Sequence, residues 1–318
     1  MRVRTAPWRL PAAALVLAAS AAAPAADGEL KVVATIKPIH SLLTEVMEGI
    51  GAPTLLVEGA ASPHAFALRP SGMRAINAAD VLVRVSETLE PFTGKVVRAL
   101  PDSVRLVTLA EAPGVKLLDR RWGGAFEAHA HSSGKPTAVA DAAHVNKDGH
   151  IWLDPDNAKA IVAHLAKVLA ETKPEAAERL QANAQRLDAR IDALTTGLEA
   201  ELRPLRDKPF IVFHDAYQYF ERRFGLASVG AITVSPDVQP SAKRLTELRR
   251  KIKSLEAVCV FAEPLFQPNL VAAVTEGTRA RSGTLDPNGS LLEPGADLYF
   301  DLMRNMGAGL KACLDQPS

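Results

Sequence analysis

The chain has 318 residues, enough for two globular domains or one large one with a sizeable buried core. Its 37 Lys and Arg nearly balance its 36 Asp and Glu, and only 5% of residues are aromatic, which argues against a nucleic-acid binder. Hydrophobic residues at 47% argue against general disorder, and two cysteines are too few for a disulfide scaffold or a four-cysteine zinc module.

The N-terminus has the pattern of a secretory signal peptide. Arg2, Arg4 and Arg9 precede the apolar run 10–19, and small residues at 20–26 offer an A-x-A-like cleavage site. The run is shorter than the about 20 apolar residues that span a bilayer. We expect residues 1–26 to be removed, which changes the net charge from +1 to −2, and the mature chain to be a soluble periplasmic protein. No cysteine lies near the cleavage region, so no lipid anchor is expected.

In that oxidising compartment a disulfide between Cys259 and Cys313 is the default expectation. Two buried thiols are the alternative.

Strands alternate with helices after the signal peptide. The elements predicted first are strands 30–35, 53–57 and 81–85 and helices 40–48 and Pro155–Thr172. Residues 123–149 are small and polar, which predicts a loop, and this loop carries His129, His131 and His144. We assign residues 27–172 to a first lobe.

A second, longer helix is predicted from Pro174 to about Leu202, where Pro204 stops it. At about 1.5 Å per residue it is longer than one compact lobe usually needs, which favours a span between two lobes over residues 173–205. The alternation then resumes over residues 206–318. The elements predicted there are strands 209–213, 229–234, 258–262 and 284–285 and helices 217–224, 241–255, 269–282 and 297–311. The sequence therefore predicts an α/β protein with two lobes, each a mostly parallel sheet flanked by helices, joined by one long rigid helix.

Four residues with metal-binding side chains lie at strand ends or in adjoining loops: His64, His150, His214 and Asp286. Ligands of such folds bind outside the carboxyl ends of the strands, so these side chains are candidates for one site. Three imidazole nitrogens and one carboxylate oxygen suit tetrahedral zinc. Spacing alone leaves open that any of the histidines is a capping or core residue.

Six segments carry a family resemblance. In chain order they are 37–41 (KPIHS), 61–71 (ASPHAFALRPS), 148–155 (DGHIWLDP), 213–220 (FHDAYQYF), 261–266 (FAEPLF) and 283–287 (GTLDP). They resemble the metal-site motifs of periplasmic zinc-binding proteins of ABC importers, the ZnuA-like family, and occur in family order across essentially the whole mature chain.

The resemblance implies zinc held in the cleft between two lobes by His64, His150 and His214. Related manganese binders tend to carry a carboxylate at the third position, so His214 favours Zn(II). Pro63 stands where some members have an acidic residue beside the first histidine, so Asp286 or water is expected as the fourth ligand. The implied partner is an ABC permease in the inner membrane, with the chain a monomer that binds no nucleic acid.

Many zinc-binding members carry a dense histidine loop before the second ligand, and the corresponding loop is short here. Its three histidines are expected either to capture zinc weakly or receive it from a periplasmic donor protein, or to belong to a solvated linker. Asp215 and Glu263 are candidates for orienting a ligand histidine, and each is equally consistent with a helix cap or a solvated acid. His40 and His164 are expected to be structural.

Three alternatives stay open: a binding protein for another divalent metal such as Mn(II), an adhesin, and a zinc-dependent hydrolase. The last is conceivable because three histidines with an open position can activate water. The chain has no H-E-x-x-H motif, no G-x-S-x-G elbow and no Walker A loop, and a filled four-ligand shell leaves no catalytic position. A non-enzymatic role is therefore expected.

Overall fold

The structure, a computed structural model, describes residues 28–121, 126, 146–233, 240–254, 256–266 and 268–316. The predicted signal peptide and most of the loop predicted at 123–149, with all three of its histidines, lie outside the described residues. The described part contains two parallel β-sheets, and helices flank both of them.

The first sheet comes from the first third of the chain. Its strands are β1 (Val32–Ala34), β2 (Thr54–Leu55), β3 (Val81–Arg84) and β4 (Arg105–Thr108), and they are parallel in the order β2-β1-β3-β4. The helices between them are α1 (Lys37–Val46), α2 (Pro70–Asn77) and α3 (Thr93–Arg98). β1 and β3 are buried throughout, as expected for the inner strands of a sheet covered on both faces.

The second sheet repeats this topology. Its strands are β5 (Phe210–His214), β6 (Ser228–Thr233), β7 (Cys259–Ala262) and β8 (Arg281–Thr284), and they are parallel in the order β6-β5-β7-β8. Its helices are α6 (Gln218–Phe224), α7 (Ala242–Ser254), α8 (Pro268–Thr275) and α9 (Leu298–Leu314). In both halves the strand that comes first in the chain lies inside the sheet, beside the second and third.

Two helices connect the sheets. α4 covers Pro155–Thr172, as predicted, and begins with Asp154 as an N-cap whose side chain accepts from the backbone N–H of Asp156. α5 covers Ala177–Leu202 and is flanked by single 3-10 turns at Pro174–Ala176 and Arg203–Leu205. With 26 residues, α5 is about 39 Å long. The long connecting helix and the two parallel sheets confirm the predicted fold class.

One hydrophobic cluster runs through both halves of the molecule. It includes Val83 of the first sheet, Leu187 of α5 and Phe261 of the second sheet. The adjacent residues Leu82 and Val260 belong to two smaller clusters on the opposite faces of their sheets, because successive side chains of a strand point to opposite faces. The two halves therefore share a core along α5, and each sheet has a further core of its own.

The disulfide between Cys259 and Cys313 is present and joins β7 to α9, which confirms the prediction from the compartment. Among the described helices, none combines the length and apolar character that crossing a membrane requires.

Some element predictions were wrong or missing. The helix predicted at 269–282 ends at Thr275, and residues 281–282 lie in β8 instead. Gly277 has φ of +67°, the left-handed conformation in which helices commonly end. α2, α3 and β4 were not predicted, because they are short and, in α2, because Ser, Gly and Asn favour helices weakly.

Candidate metal centre

Three histidines from separate parts of the chain meet between the two halves. His64 lies in the 3-10 turn Pro63–Ala65 that follows β2, His150 directly precedes the turn Ile151–Leu153, and His214 is the last residue of β5. Each offers a ring nitrogen, and these nitrogens all lie within 4.8 Å of one another. Within the described part of the chain, this is the group of side chains that could hold a metal ion.

In two of these rings, Nδ1 forms a hydrogen bond with a carboxylate. His150 Nδ1 lies 2.7 Å from Oδ1 of Asp148, and His214 Nδ1 lies 2.6 Å from Oε1 of Glu263. A carboxylate accepts a hydrogen bond, so each Nδ1 carries a proton, and Nε2 is the ring nitrogen that is left to bind a metal ion. The two Nε2 atoms lie 3.4 Å apart. At this distance both atoms can bind one cation that lies between them, once they are unprotonated.

The third ring completes this arrangement. Nε2 of His64 is buried and has no hydrogen-bond partner among the described residues. Burial, together with the neighbouring His150 and His214 and the positive charge of Arg120, holds the pKa of His64 well below its usual range. His64 is therefore neutral, as a metal ligand must be.

His214 experiences the opposite balance. Burial lowers its pKa, but the carboxylate of Glu263, helped by those of Asp215 and Asp148, more than offsets this and raises the pKa above the usual value. Glu263 also accepts a hydrogen bond of 2.9 Å from the hydroxyl of Tyr217, which fixes the carboxylate against the ring. A carboxylate held in this way orients the imidazole and makes it a stronger ligand.

Strand pairing explains why Glu263 reaches His214. β5 and β7 are neighbouring parallel strands, so their carboxyl ends lie at the same edge of the second sheet. His214 ends β5 and Glu263 directly follows β7. Of the two acids considered as orienting groups, Glu263 contacts a histidine, whereas Asp215 forms an ion pair with Arg121.

Sequence reasoning did not single out Asp148. Its Oδ1 also accepts a hydrogen bond of 3.0 Å from the backbone N–H of His150, a turn in which an aspartate bonds two residues onward. The sequence does contain an indication of this contact, because the aspartate lies two residues before a candidate ligand histidine.

Asp286 lies in the loop that follows β8 and is not part of the histidine cluster. Its Oδ1 accepts from the backbone N–H of Asn288 at 3.2 Å, and its Oδ2 accepts from the hydroxyl of Ser290 at 2.9 Å. Its role as the fourth ligand stays a prediction.

The other two described histidines make no contact with the cluster. His40 lies in α1 with Nε2 3.0 Å from the carbonyl oxygen of Pro53, and His164 is a partly exposed residue of α4.

Two α/β halves joined by a long helix, with a cluster of three histidines between them, define a two-lobed metal-binding protein. The family model "Zinc-uptake complex component A periplasmic" (ZnuA) matches residues 32–313. The chain belongs to this family.

Relatives agree with this assignment, and a solved structure has a similar fold. The chain is 44% identical over 306 residues to the high-affinity zinc uptake system protein ZnuA of Brucella suis biovar 1, covering 90% of this chain and 92% of that protein. It is 34% identical to the protein of the same name from Yersinia pestis, covering 89% and 91%. The fold is similar to the structure of FpvC from Pseudomonas aeruginosa in complex with Mn²⁺, with a TM-score of 0.75 and 20% identity over 91% of this chain and 99% of that one.

Proposed function

We propose that this protein is the periplasmic component of a zinc uptake system, which captures Zn(II) between its two halves and delivers it to an ABC permease. The observation that carries the proposal is the convergence of three imidazoles whose ring nitrogens lie within 4.8 Å of one another, in a chain of the ZnuA family. His64, His150 and His214 are the proposed ligands. Zinc is the cargo of the protein, which binds it without chemical change.

The donor set favours zinc over manganese. Imidazole nitrogens suit zinc in a tetrahedral site, whereas Mn²⁺ prefers carboxylate, carbonyl and water oxygens and a higher coordination number. The carboxylates beside the cluster, Asp148 and Glu263, contact Nδ1 of the histidines and act as hydrogen-bond acceptors. The fourth ligand is Asp286, since Pro63 stands where some family members have an acidic residue, or water if the aspartate does not reach the ion.

A stripped protein titrated with zinc and with manganese tests the proposal. We expect the wild type to bind about one Zn(II) per chain and to prefer it to Mn(II), because the site has one cluster of three nitrogens. His214→Ala removes one nitrogen and should weaken zinc binding by two orders of magnitude or more, while His164→Ala on α4 is the matched control and should bind as the wild type does. Absence of zinc binding, or wild-type affinity in His214→Ala, would overturn the proposal.

Asp286→Ala distinguishes the two candidates for the fourth ligand. Weaker zinc binding supports the aspartate, and unchanged binding supports water. The same titrated protein, assayed against ester and peptide substrates, separates a binding protein from a zinc hydrolase.

The family description places such proteins in the periplasm as part of an uptake complex. We propose that this chain is exported by its N-terminal signal peptide without a lipid anchor, acts as a monomer and docks on an inner-membrane permease. A periplasmic zinc donor that loads it through the histidines of the 123–149 segment belongs to the same proposal.

A further inference from the structure

Helix α6 begins four residues after His214 and contacts the first half of the chain through its first side chain. Gln218 is buried, and its side-chain Nε2 donates a hydrogen bond of 2.7 Å to Oδ2 of Asp148 and one of 3.1 Å to the carbonyl oxygen of Asp119. Both partners are acceptors, so the amide must present its NH₂ group here rather than its oxygen. Both donors of this amide are therefore used to join the second half to the first.

The Asp148 carboxylate lies between this amide and a proposed zinc ligand. Its Oδ1 faces Nδ1 of His150 at 2.7 Å, and its Oδ2 accepts the bond from Gln218. Asp148 and His150 belong to the first half, whereas Gln218 belongs to the second. The orientation of His150 thus depends on a hydrogen bond that crosses between the halves.

The residue before Gln218, Tyr217, also donates a hydrogen bond to a carboxylate that contacts a proposed ligand histidine. Tyr217 donates its hydroxyl to Glu263, the partner of His214, at 2.9 Å, but this bond lies within the second half. Tyr217 therefore holds Glu263, and Gln218 holds Asp148. Of these two hydrogen bonds, only the one from Gln218 crosses from one half to the other.

We propose that Gln218 is a positioning residue that couples contact between the two halves to the affinity of the site for zinc, an inference that rests on the proposed function. With the halves in contact, Gln218 holds Asp148, and Asp148 holds His150 with Nε2 directed at the other two histidines. When the halves separate, the Asp148 carboxylate loses this donor, keeps only its bonds to His150, and orients the ring less firmly. Zinc then binds the contacting state more tightly, and by reciprocity a partner that separates the halves weakens the hold on zinc.

Two substitutions and one matched control test this role. Gln218→Met keeps the length of the side chain and removes both donors, and Gln218→Glu exchanges the NH₂ for an oxygen that repels Asp148. Tyr219→Phe is the control. The Tyr219 hydroxyl donates a hydrogen bond of 2.8 Å to the backbone carbonyl of Asp148 and accepts one of 3.0 Å from the N–H of Leu118. It therefore also joins the two halves, but it does not contact the Asp148 carboxylate.

Zinc affinity and the rate of zinc loss are measured by competition with a chelator of known strength. Loss of a group that orients a ligand histidine weakens metal binding by about 10- to 100-fold, and Gln218 acts one bond further away, so we expect a weakening of about tenfold and correspondingly faster loss in both variants. Tyr219→Phe should keep wild-type affinity and rate. In the metal-free protein, ¹⁵N NMR of His150 should show the Nδ1–H tautomer in the wild type and a mixture of tautomers in Gln218→Met.

A double-mutant cycle separates this role from a general structural one. If Gln218 acts through Asp148, Gln218→Met has no further effect on zinc affinity in an Asp148→Asn background. Thermal unfolding of the metal-free variants reports whether they fold. If Gln218→Met does not fold, the zinc affinity of Gln218→Glu decides the outcome.

Wild-type zinc affinity in both Gln218 variants, an equal loss in Tyr219→Phe, or effects that add in the Asp148→Asn background would each overturn the inference. A wild-type protein that binds no zinc would instead overturn the proposed function.

Discussion

At the level of single residues, the cluster depends on which acid reaches which ring. Asp215 follows His214 directly in sequence, yet its carboxylate points to Arg121, which also pairs with Glu221. Glu263 is 49 residues away in sequence and contacts the ring. The two acids should therefore respond differently to removal of their charge.

Glu263→Gln should weaken zinc binding by about 10- to 100-fold, because the neutral amide holds the His214 proton less firmly. Asp215→Asn should leave zinc affinity close to that of the wild type and lower the stability of the metal-free protein, because Arg121 loses a partly buried ion pair. Calorimetric zinc titration and thermal unfolding of both variants check this. Equal zinc affinities in the two variants would contradict it.

Glu90 is a fully buried carboxyl group that does not belong to the histidine cluster. One of its oxygens accepts hydrogen bonds from the backbone N–H groups of Val85 and Ser86, and Arg84 lies nearby. Burial outweighs these contacts and raises the pKa of Glu90 to about 7. Between its ordinary pKa and this value the folded state binds more protons than the unfolded state, so the stability from this group falls as pH rises.

Glu90→Gln should remove this pH dependence, because glutamine keeps an acceptor for the two N–H groups and carries no charge. Relative to the wild type, we expect the variant to gain up to about 3 kcal/mol of stability between pH 5 and pH 8. Urea unfolding of the metal-free proteins at both pH values measures this difference, with the exposed Glu58→Gln as control. The same stability difference at both pH values would count against it.

At the level of elements, the disulfide ties the last helix to the second sheet. Cys259 lies at the amino end of β7, whereas Glu263, which contacts His214, follows its carboxyl end. Along the strand, positions 259 and 263 are about 13 Å apart. The expected contribution of the disulfide is therefore to stability and not to metal affinity.

Replacing both Cys259 and Cys313 by alanine should lower the free energy of unfolding by about 4 kcal/mol, since the bridge closes a loop across a sequence separation of 54. Denaturant unfolding of the metal-free double variant measures this loss, with the wild type under reducing conditions as a second comparison. Zinc affinity should be retained, and a large loss of affinity in a folded double variant would show that the bridge also shapes the site.

At the scale of the whole molecule, the segment that carries Asp286 is held by the first half, although it follows a strand of the second. Lys37, Ser41 and Trp152 donate hydrogen bonds to backbone carbonyls of segment 286–296. The buried Nζ of Lys37 lies 2.7 Å from the carbonyl oxygen of Ser290. Together with the shared core along α5, these contacts restrict how far the halves move apart.

Lys37→Met should lower the stability of the metal-free protein by about 2 kcal/mol, because buried carbonyls lose a charged donor. It should also speed the loss of zinc to a chelator, since the segment that carries Asp286, the proposed fourth ligand, is then held less firmly. Lys208→Met is the matched control. Lys208 donates a hydrogen bond of 2.8 Å to the carbonyl of Leu314 within the second half, so losing this bond should affect stability alone. Equal rates of zinc loss in the two variants would contradict this.

The alternation of strands and helices, the long connecting helix and the disulfide were predictable from the sequence. Each depends on local patterns: the buried runs of β1 and β3, the prolines that flank α5, and two cysteines in an oxidising compartment. His64, His150 and His214 were identified as candidates by their motifs. Short elements such as β4 and the end of α8 were not, because four to eight residues carry too little periodicity.

The sequence by itself therefore determined the class of fold and singled out the three histidines that meet in the structure. Only the tertiary structure decided which groups orient them, since Glu263 reaches His214 through strand pairing and Gln218 reaches Asp148 across the two halves at a separation of 70 residues. Periodicity and motifs report on neighbours along the chain. Contacts between distant residues are set by the packing of whole elements, and the proposed coupling between zinc and the two halves arises from those contacts.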